Sequence, residues 1–264
     1  MAADNAVFIW APTQRCGTGL LQRLVTSSRE VLVFGEDRHI ALDLPGQLLH
    51  CSRPLTDQSA LRERLASGDL EGWYVHVYPP ADAYRVSLIQ NFNTLAALYT
   101  ETARSHGFSR WGTKYPDFQL NEAQVLSKLL PGARHLFIYR DIVDVLRSVK
   151  ARGWLTSPQV AVQYARQWVR GVNQALSNLV GDERFHMIRY EDLVARPGAH
   201  LPDLAAFLGV SALDARVFSH RTNAPSGYTA PLALTPAELA AADRIARPLR
   251  DMLGYTESVL RAAK

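Results

Sequence analysis

The stretch that most constrains the fold is AVFIWAPTQRCGTGLLQRL, residues 6–24. Its first part, residues 7–10, is a short apolar run of the kind that forms a central strand in a parallel sheet. Pro12 ends that strand, because proline offers no donor to a ladder of hydrogen bonds. A glycine-containing loop follows, and Leu20, Leu21 and Leu24 then recur at helical spacing. The stretch therefore predicts a buried strand, a tight loop and a helix.

A loop of this kind is suited to bind an anion. The free N–H groups and the dipole of the helix N-terminus point towards it. Gly17 and Gly19 allow a close approach of the backbone to a ligand, and Arg15 adds a positive charge. A Walker A loop would close with Gly-Lys-Ser/Thr, but here Thr18 follows Gly17 without a lysine. The loop thus predicts phosphate binding without the parts that handle a metal-bound triphosphate, although glycine is also common in purely structural strand-to-helix connections.

Length and composition favour one globular domain over residues 1–264. The chain is 47% hydrophobic, which supports one sizeable core. No window of about eighteen apolar residues predicts a membrane span. The N-terminus lacks the basic region of a secretory signal. The net charge of +4 fits an anionic ligand, but no run of lysine or arginine with interleaved aromatic residues indicates a nucleic-acid partner.

The two cysteines, Cys16 and Cys51, are too few for a disulfide framework and do not have zinc-ligand spacing. They indicate a reducing compartment, and we expect a cytoplasmic protein. No metal ligand set is predicted.

The rest of the chain alternates strands with helices. Strands are predicted at residues 31–34, 73–78, 110–114, 134–139 and 185–190, and residues 40–56 read as irregular. This alternation predicts an α/β fold with a central parallel sheet that is covered by helices on both faces. Ligands of such folds bind at the carboxyl ends of the strands.

A second group of polar residues follows the strand at residues 134–139. Arg140 comes directly after it, and Ser148 and Arg152 lie four residues apart, hence on one face of a predicted helix at residues 141–152. Two guanidinium groups and a hydroxyl suit a dianionic phosphate. The structural alternative is that Arg140 and Asp141 cap the helix while Arg152 is solvated.

Two further strand ends carry candidate catalytic residues. Lys114 could neutralise the charge of a leaving phosphate, and Glu36 is a candidate general base if it lies beside the phosphate site. The structural alternative is that Lys114 is an exposed lysine before a turn and that Glu36 belongs to a solvated turn. Tyr190 begins the segment Tyr-Glu-Asp-Leu at another strand end.

Taken in order, these motifs resemble those of sulfotransferases that use 3′-phosphoadenosine 5′-phosphosulfate (PAPS). Residues 15–19, RCGTG, are similar to the family's 5′-phosphosulfate loop, usually Arg/Lys-Ser-Gly-Thr-Thr, with departures at Cys16 and Gly19. The resemblance implies a P-loop-like three-layer fold and makes this loop, through Leu20, part of the nucleotide site. It further implies that Arg140, Ser148 and Arg152 bind the 3′-phosphate and that Tyr190 lies near the nucleotide.

Within that family, the pattern is most similar to protein-tyrosine sulfotransferases and related bacterial enzymes. Gly35-Glu36-Asp37 resembles their Gly-Glu-Glu, which implies that Glu36 is the catalytic base. Lys114-Tyr115-Pro116-Asp117-Phe118 resembles their Lys-Asp-Pro-Phe, which implies that Lys114, with Arg15, stabilises the transition state. His76 competes with Glu36 as the base, but its spacing from Lys114 does not match the adjacent histidine of the cytosolic enzymes. Residues 35–111 are expected to build the acceptor pocket, with Arg38, His76 and Tyr78 as substrate residues.

The predicted activity is the transfer of a sulfuryl group from PAPS to a hydroxyl of an acceptor, with release of 3′-phosphoadenosine 5′-phosphate (PAP) and without a metal. The acceptor class stays open between phenolic, lipophilic and sugar metabolites and a peptide tyrosine, with a slight preference for a phenolic or lipophilic one because the pocket region is rich in aromatic residues. The alternatives are a metabolite kinase on a P-loop scaffold and a non-enzymatic module that binds adenine nucleotides or nucleic acid. A homodimer is also left open.

Overall fold

The computed structural model describes residues 5–51, 58–68, 80–219 and 232–255. The strand predicted at residues 73–78, which carries His76 and Tyr78, lies outside these ranges. So does the C-terminus beyond Tyr255.

A parallel sheet forms the centre of the fold, as the sequence predicts, and it has five strands in the described ranges. The strands run in the spatial order β2-β3-β1-β4-β5, and each neighbouring pair is parallel. The first strand is therefore central, and all four of its residues are at most 1% exposed, so both of its faces are covered. The strand bounds are β1 Val7–Trp10, β2 Val31–Phe34, β3 Arg110–Tyr115, β4 Arg134–Tyr139 and β5 Phe185–Arg189.

Helices flank this sheet and follow its strands in the alternating order expected of an α/β fold. The helices in the described ranges are α1 Thr18–Thr26, α2 Leu44–Cys51, α3 Ser59–Ala66, α4 Ala81–Ser105, α5 Leu120–Leu129, α6 Ile142–Lys150, α7 Pro158–Asn178, α8 Tyr190–Ala195, α9 Pro197–Leu208 and α10 Pro236–Met252. A π-helical segment, His39–Asp43, precedes α2, and a 3₁₀ segment, Ala215–Ser219, follows α9.

The prediction of irregular structure at residues 40–56 is wrong for its first part. The π-helical segment leads directly into α2, and the side chains of Ile40, Leu44 and Leu48 are buried. Pro45 suggested a break, but the helical chain continues through it, directly after the π-helical hydrogen bond from Leu44 N to the His39 carbonyl. Burial of the apolar side chains therefore outweighs the breaker signal.

The core beneath the sheet contains a buried imidazole. His135 on β4 stacks with the ring of Phe8 on β1 at 5.2 Å. Its Nδ1 accepts a hydrogen bond from Trp10 Nε1 at 3.1 Å, so Nε2 carries the proton and faces Ser127 Oγ at 3.1 Å. Burial lowers the pKa of His135 to about 3. The side chain is thus a neutral hydrogen-bonding part of the core.

This imidazole should make stability depend on pH. The unfolded chain protonates His135 near pH ~6.5, whereas the folded chain does so only near its lowered pKa. The free energy of unfolding should therefore fall as the pH drops below ~6.5, by up to about 1.4 kcal/mol per pH unit from this group. His135→Gln removes the titration, and urea unfolding of both proteins at pH 7, 6 and 5 should show a shallower dependence for the variant. Parallel pH dependences would contradict the assignment.

Candidate active site

The glycine-containing loop lies at the carboxyl end of the central strand. Gly17 is the N-cap of α1, with a φ of 111°, a conformation that favours glycine. A Cβ atom at this position would lie 2.6 Å from Cδ2 of Tyr190. No side chain caps α1 at Gly17, so no side chain competes with an anion for the N–H groups of Thr18 and Gly19, whereas Leu20 N already donates to the Gly17 carbonyl at 3.0 Å.

The side chain of Cys16 points away from such an anion. Its thiol is fully buried, and Sγ lies 3.4 Å from Oγ1 of Thr13. Burial raises the pKa of Cys16 to about 11, partly offset by the hydrogen bond with Thr13. The neutral thiol therefore supports the loop from the core, and a contact of Cys16 with a bound nucleotide would come from its backbone.

Arg15 joins the loop to α6. It has a left-handed φ of 69°, and its Nε donates a hydrogen bond of 3.0 Å to Oγ of Ser148. The helix α6 was predicted to extend to residue 152, but it ends at Lys150. Arg152 therefore lies in the turn that follows the helix. The structure thus brings together the loop arginine and the serine that the sequence assigned to a 3′-phosphate.

Arg140 and Tyr190 form the other side of the same edge. The guanidinium of Arg140 lies over the Tyr190 ring, 4.6 Å from its centroid, and 3.7 Å from a carboxylate oxygen of Asp144. Nε of Arg140 is buried and has no hydrogen-bond partner among the described residues. Trp168 Nε1 donates to the Arg140 carbonyl at 2.9 Å and fixes the backbone. Gly17, Tyr190 and Arg140 therefore form one continuous surface.

A buried charge network holds the start of α6, and the sequence analysis did not find it. Asp141 caps the helix by accepting from Val143 N at 3.1 Å, as the structural alternative expected. Both its carboxylate oxygens accept from Arg250 on α10, at 2.9 and 3.1 Å. The backbone N–H of Asp141 donates to Glu191, whose other oxygen accepts from the hydroxyl of Tyr255, each at 2.9 Å.

A second ion pair attaches α10 to α6. Nζ of Lys150 lies 2.7 Å from Glu238 Oε2, and Glu238 also forms a capping box with Thr235. The Thr-x-x-Glu spacing of this capping box is visible in the sequence. Arg250 and Asp141 are 109 residues apart, and no local pattern connects them.

The proposed base and the proposed lysine form a direct pair. Nζ of Lys114 lies 2.7 Å from Oε1 of Glu36, and the side chains are 14% and 45% exposed, respectively. Thr113 Oγ1 donates to the Gly35 carbonyl at 2.7 Å, and the Tyr99 hydroxyl donates to Asp37. The loop after β2 is therefore fastened to the end of β3.

A cavity of about 570 Å³ has Arg38, two residues beyond Glu36, in its wall. Arg38 Nε is 2.8 Å from Oδ1 of Asp43. The other predicted substrate residues, His76 and Tyr78, lie outside the described ranges. Within those ranges no group of three or more His, Cys, Asp or Glu side chains has metal-binding geometry, and no helix is long and apolar enough to cross a membrane.

Comparison with known proteins identifies the class of enzyme. A family model for the sulfotransferase family matches residues 7–214, so the chain belongs to that family. Donors in this family are typically PAPS, and the enzyme is a transferase. Comparison with curated proteins gives no significant sequence match.

Solved structures share the fold. A sulfotransferase from Alicyclobacillus acidocaldarius aligns with a TM-score of 0.51 at 17% identity, over 97% of this chain and 98% of its own. The sulfotransferase domain of the Synechococcus PCC 7002 olefin synthase aligns with a TM-score of 0.50 at 18% identity, over 92% and 94%. The chain has the P-loop-like α/β fold that the sequence predicted.

The contact between Gly17 and Tyr190 predicts the effect of a single added methyl group. Gly17→Ala should weaken the binding of PAP by tenfold or more in calorimetry, because the new Cβ meets Tyr190 and the backbone must leave its left-handed conformation. Gly107→Ala is the matched control, since Gly107 also has a positive φ (82°) but nothing within 4 Å of its Cβ position. Equal PAP affinity in the Gly17 variant and the wild type would contradict the proposed cradle.

Proposed function

We propose that this sulfotransferase moves the sulfuryl group of PAPS to an acceptor hydroxyl and releases PAP. The observation that carries the proposal is the cradle formed by Gly17, Tyr190 and Arg140. It combines an uncapped helix N-terminus, a glycine with no room for a side chain and a buried guanidinium Nε that lacks a hydrogen-bond partner among the described residues. These features suit an anion that is held by backbone N–H groups and arginine.

The nucleotide contacts divide between the loop and α6. In the proposal, the backbone of residues 16–20, including Thr18, Gly19 and Leu20, holds the 5′-phosphosulfate together with the Arg15 side chain. Arg140, Ser148 and Arg152 bind the 3′-phosphate, and Tyr190 packs beside the nucleotide. The hydrogen bond between Arg15 and Ser148 supports this arrangement, because it joins the two halves of the site.

The catalytic roles fall to the pair at the ends of β2 and β3. Glu36 would accept the proton of the acceptor hydroxyl on Oε2, since Lys114 occupies Oε1. The acceptor oxygen then forms a new S–O bond as the S–O bond to PAP breaks, and Lys114 and Arg15 stabilise the charge that develops on the leaving phosphate. Positioning and charge neutralisation supply most of the catalysis in such group transfers.

The alternatives fit the site less well. A metabolite kinase would need a lysine and a magnesium-binding hydroxyl in the loop, but Gly17 is followed by Thr18 and Gly19. In a non-enzymatic nucleotide-binding or nucleic-acid-binding module, the Lys114–Glu36 pair would have no chemical role. Calorimetry with ATP and with an oligonucleotide tests both readings.

The setting of the reaction also stays a proposal. Cys16 is a free thiol in the described part of the chain, which fits a reducing, cytoplasmic compartment. A homodimer is retained as an option that light scattering in solution would decide.

The 3′-phosphate assignment predicts a clear preference between two nucleotides. PAP should bind at least tenfold more tightly than AMP, because a charge-assisted hydrogen bond contributes on the order of 1.5–3 kcal/mol. Calorimetry of both ligands measures the ratio, and Arg140→Gln should reduce it by weakening PAP binding alone. Equal affinities for PAP and AMP would refute the assignment.

The role of Glu36 predicts a split between binding and turnover. Glu36→Gln keeps the shape but removes the base, so kcat should fall by about 10²-fold or more while PAP affinity is kept. Release of PAP from PAPS in the presence of an accepted hydroxyl compound gives kcat. Glu101→Gln, at an exposed position on α4, is the matched control and should leave kcat unchanged. Normal turnover in the Glu36 variant would shift the role of base to another residue, with His76 the first candidate.

A further inference from the structure

The cavity beside Arg38 has the size of an acceptor site. Its walls come from Arg38, the π-helical segment and α2, the start of α4, and the chain from Asp117 into the first turn of α5. Its volume of about 570 Å³ lies within the range of roughly 300–1,000 Å³ for ligand pockets. Arg38 and Asp117, in two of its walls, lie two and three residues beyond Glu36 and Lys114, respectively. Taking the cavity as the acceptor site rests on the proposed function.

Most of the described side chains that line this cavity carry a hydrogen-bonding group. Leu42 is the one aliphatic side chain among the described lining residues, and it is only 6% exposed. The hydrogen-bonding side chains of the wall include His39, Gln47, His50 and Gln119. A lipophilic acceptor would displace water from these groups without replacing its hydrogen bonds, which is unfavourable.

The walls also contain three carboxylates, and one of them has no ion-pair partner among the described residues. Arg38 and His39 both contact the carboxylate of Asp43, at 2.8 and 3.2 Å. Asp117 accepts hydrogen bonds from the side-chain amides of Gln119 and Gln167, at 3.0 and 2.9 Å, and its Oδ1 lies 3.9 Å from the guanidinium of Arg170. Glu122, in contrast, has no ion-pair partner within the described residues. The Glu122 carboxylate therefore disfavours an acceptor that carries a phosphate, sulfate or carboxylate.

Two features indicate what the cavity does accept. Carboxylates and side-chain amides offer acceptors for several hydroxyl hydrogens at once. Tyr84, at the start of α4, presents a ring that is 46% exposed, and the C–H face of a sugar ring can pack on such a surface. The Glu122 carboxylate lies above α2, with Oε1 3.6 Å from the position of a Cβ on Gly46, and can receive an ammonium group.

We propose that this cavity binds a polyhydroxylated acceptor of the carbohydrate class without negative charge, either a neutral or an amino sugar. The acceptor hydroxyl would be presented from the cavity towards the Lys114–Glu36 pair. This assignment differs from the preference for a phenolic or lipophilic acceptor that the aromatic residues of the segment 35–111 suggested.

A matched set of acceptors tests the proposal with the full-length protein. Sulfuryl transfer from PAPS is measured to the methyl glycosides of glucose, glucosamine and glucuronic acid and of their galacto counterparts, and to 4-nitrophenol and octanol. Within each series the sugars differ by one charged group. We expect kcat/KM for the neutral and amino sugars to exceed that for the uronic acids, the phenol and the alkanol by tenfold or more.

A charge change at Glu122 tests the role of the wall. Glu122→Lys should lower kcat/KM for the amino sugar relative to the neutral sugar by about tenfold, and it should narrow the gap between the neutral sugar and the uronic acid. Glu63→Lys on α3 makes the same charge change at an exposed position outside the cavity lining and should leave both ratios unchanged. Calorimetry with PAP shows that each variant is folded.

The outcomes separate this proposal from the function on which it rests. Faster transfer to the phenol or the alkanol, or no transfer to any sugar while PAP still binds in preference to AMP, overturns the carbohydrate assignment and leaves the proposed function standing. Unchanged selectivity in Glu122→Lys overturns the role of the cavity wall. Loss of the preference for PAP over AMP in the wild-type protein overturns the proposed function itself.

Discussion

The parallel direction of all the strands in the sheet is the constraint on which the site depends. Because all five strands point the same way, their carboxyl ends meet at one edge. Each strand end delivers one candidate residue there, in the spatial order Glu36, Lys114, Arg15, Arg140 and Tyr190. The order also separates the proposed roles, because the ends of β2 and β3 carry the proposed base and lysine while the ends of β4 and β5 carry residues proposed to bind the nucleotide.

The half of this edge that is proposed to bind the nucleotide is held in place by the buried ion pair between Arg250 and Asp141. Arg250 is 5% and Asp141 7% exposed, and removal of one partner of such a pair typically costs about 3–5 kcal/mol because the other charge stays buried. The pair itself contributes little net stability compared with apolar packing. Its structural effect is to fix α10 against the N-terminus of α6. The pair thereby also fixes the position of the backbone that precedes Ser148.

Local patterns predicted the parts of the fold that depend on local physics. The strand β4 was predicted with its observed bounds because residues 134–139 contain a continuous apolar stretch between turn signals. The loop at Gly17 was predicted because glycines follow directly after an apolar strand. The helical structure of residues 40–51 was not predicted because Pro45 and Gly46 are typical helix breakers. Burial of Leu48 in the tertiary structure stabilises the helix despite them. The partners of the site residues, such as Arg250 for Asp141, depend on packing of distant segments and have no local signal.

In the proposed mechanism, the Lys114–Glu36 pair couples binding of the donor to the state of the base. Each side chain of the pair neutralises the other at 2.7 Å. An anionic donor beside Lys114 would compete with Glu36 for the ammonium group, since both are negative and the lysine has only three donors. The more Lys114 turns to the donor, the less its charge holds the Glu36 carboxylate. Donor binding would thus make Oε1 of Glu36 available to the acceptor proton as well as Oε2, so a single ion pair couples the donor site to the base.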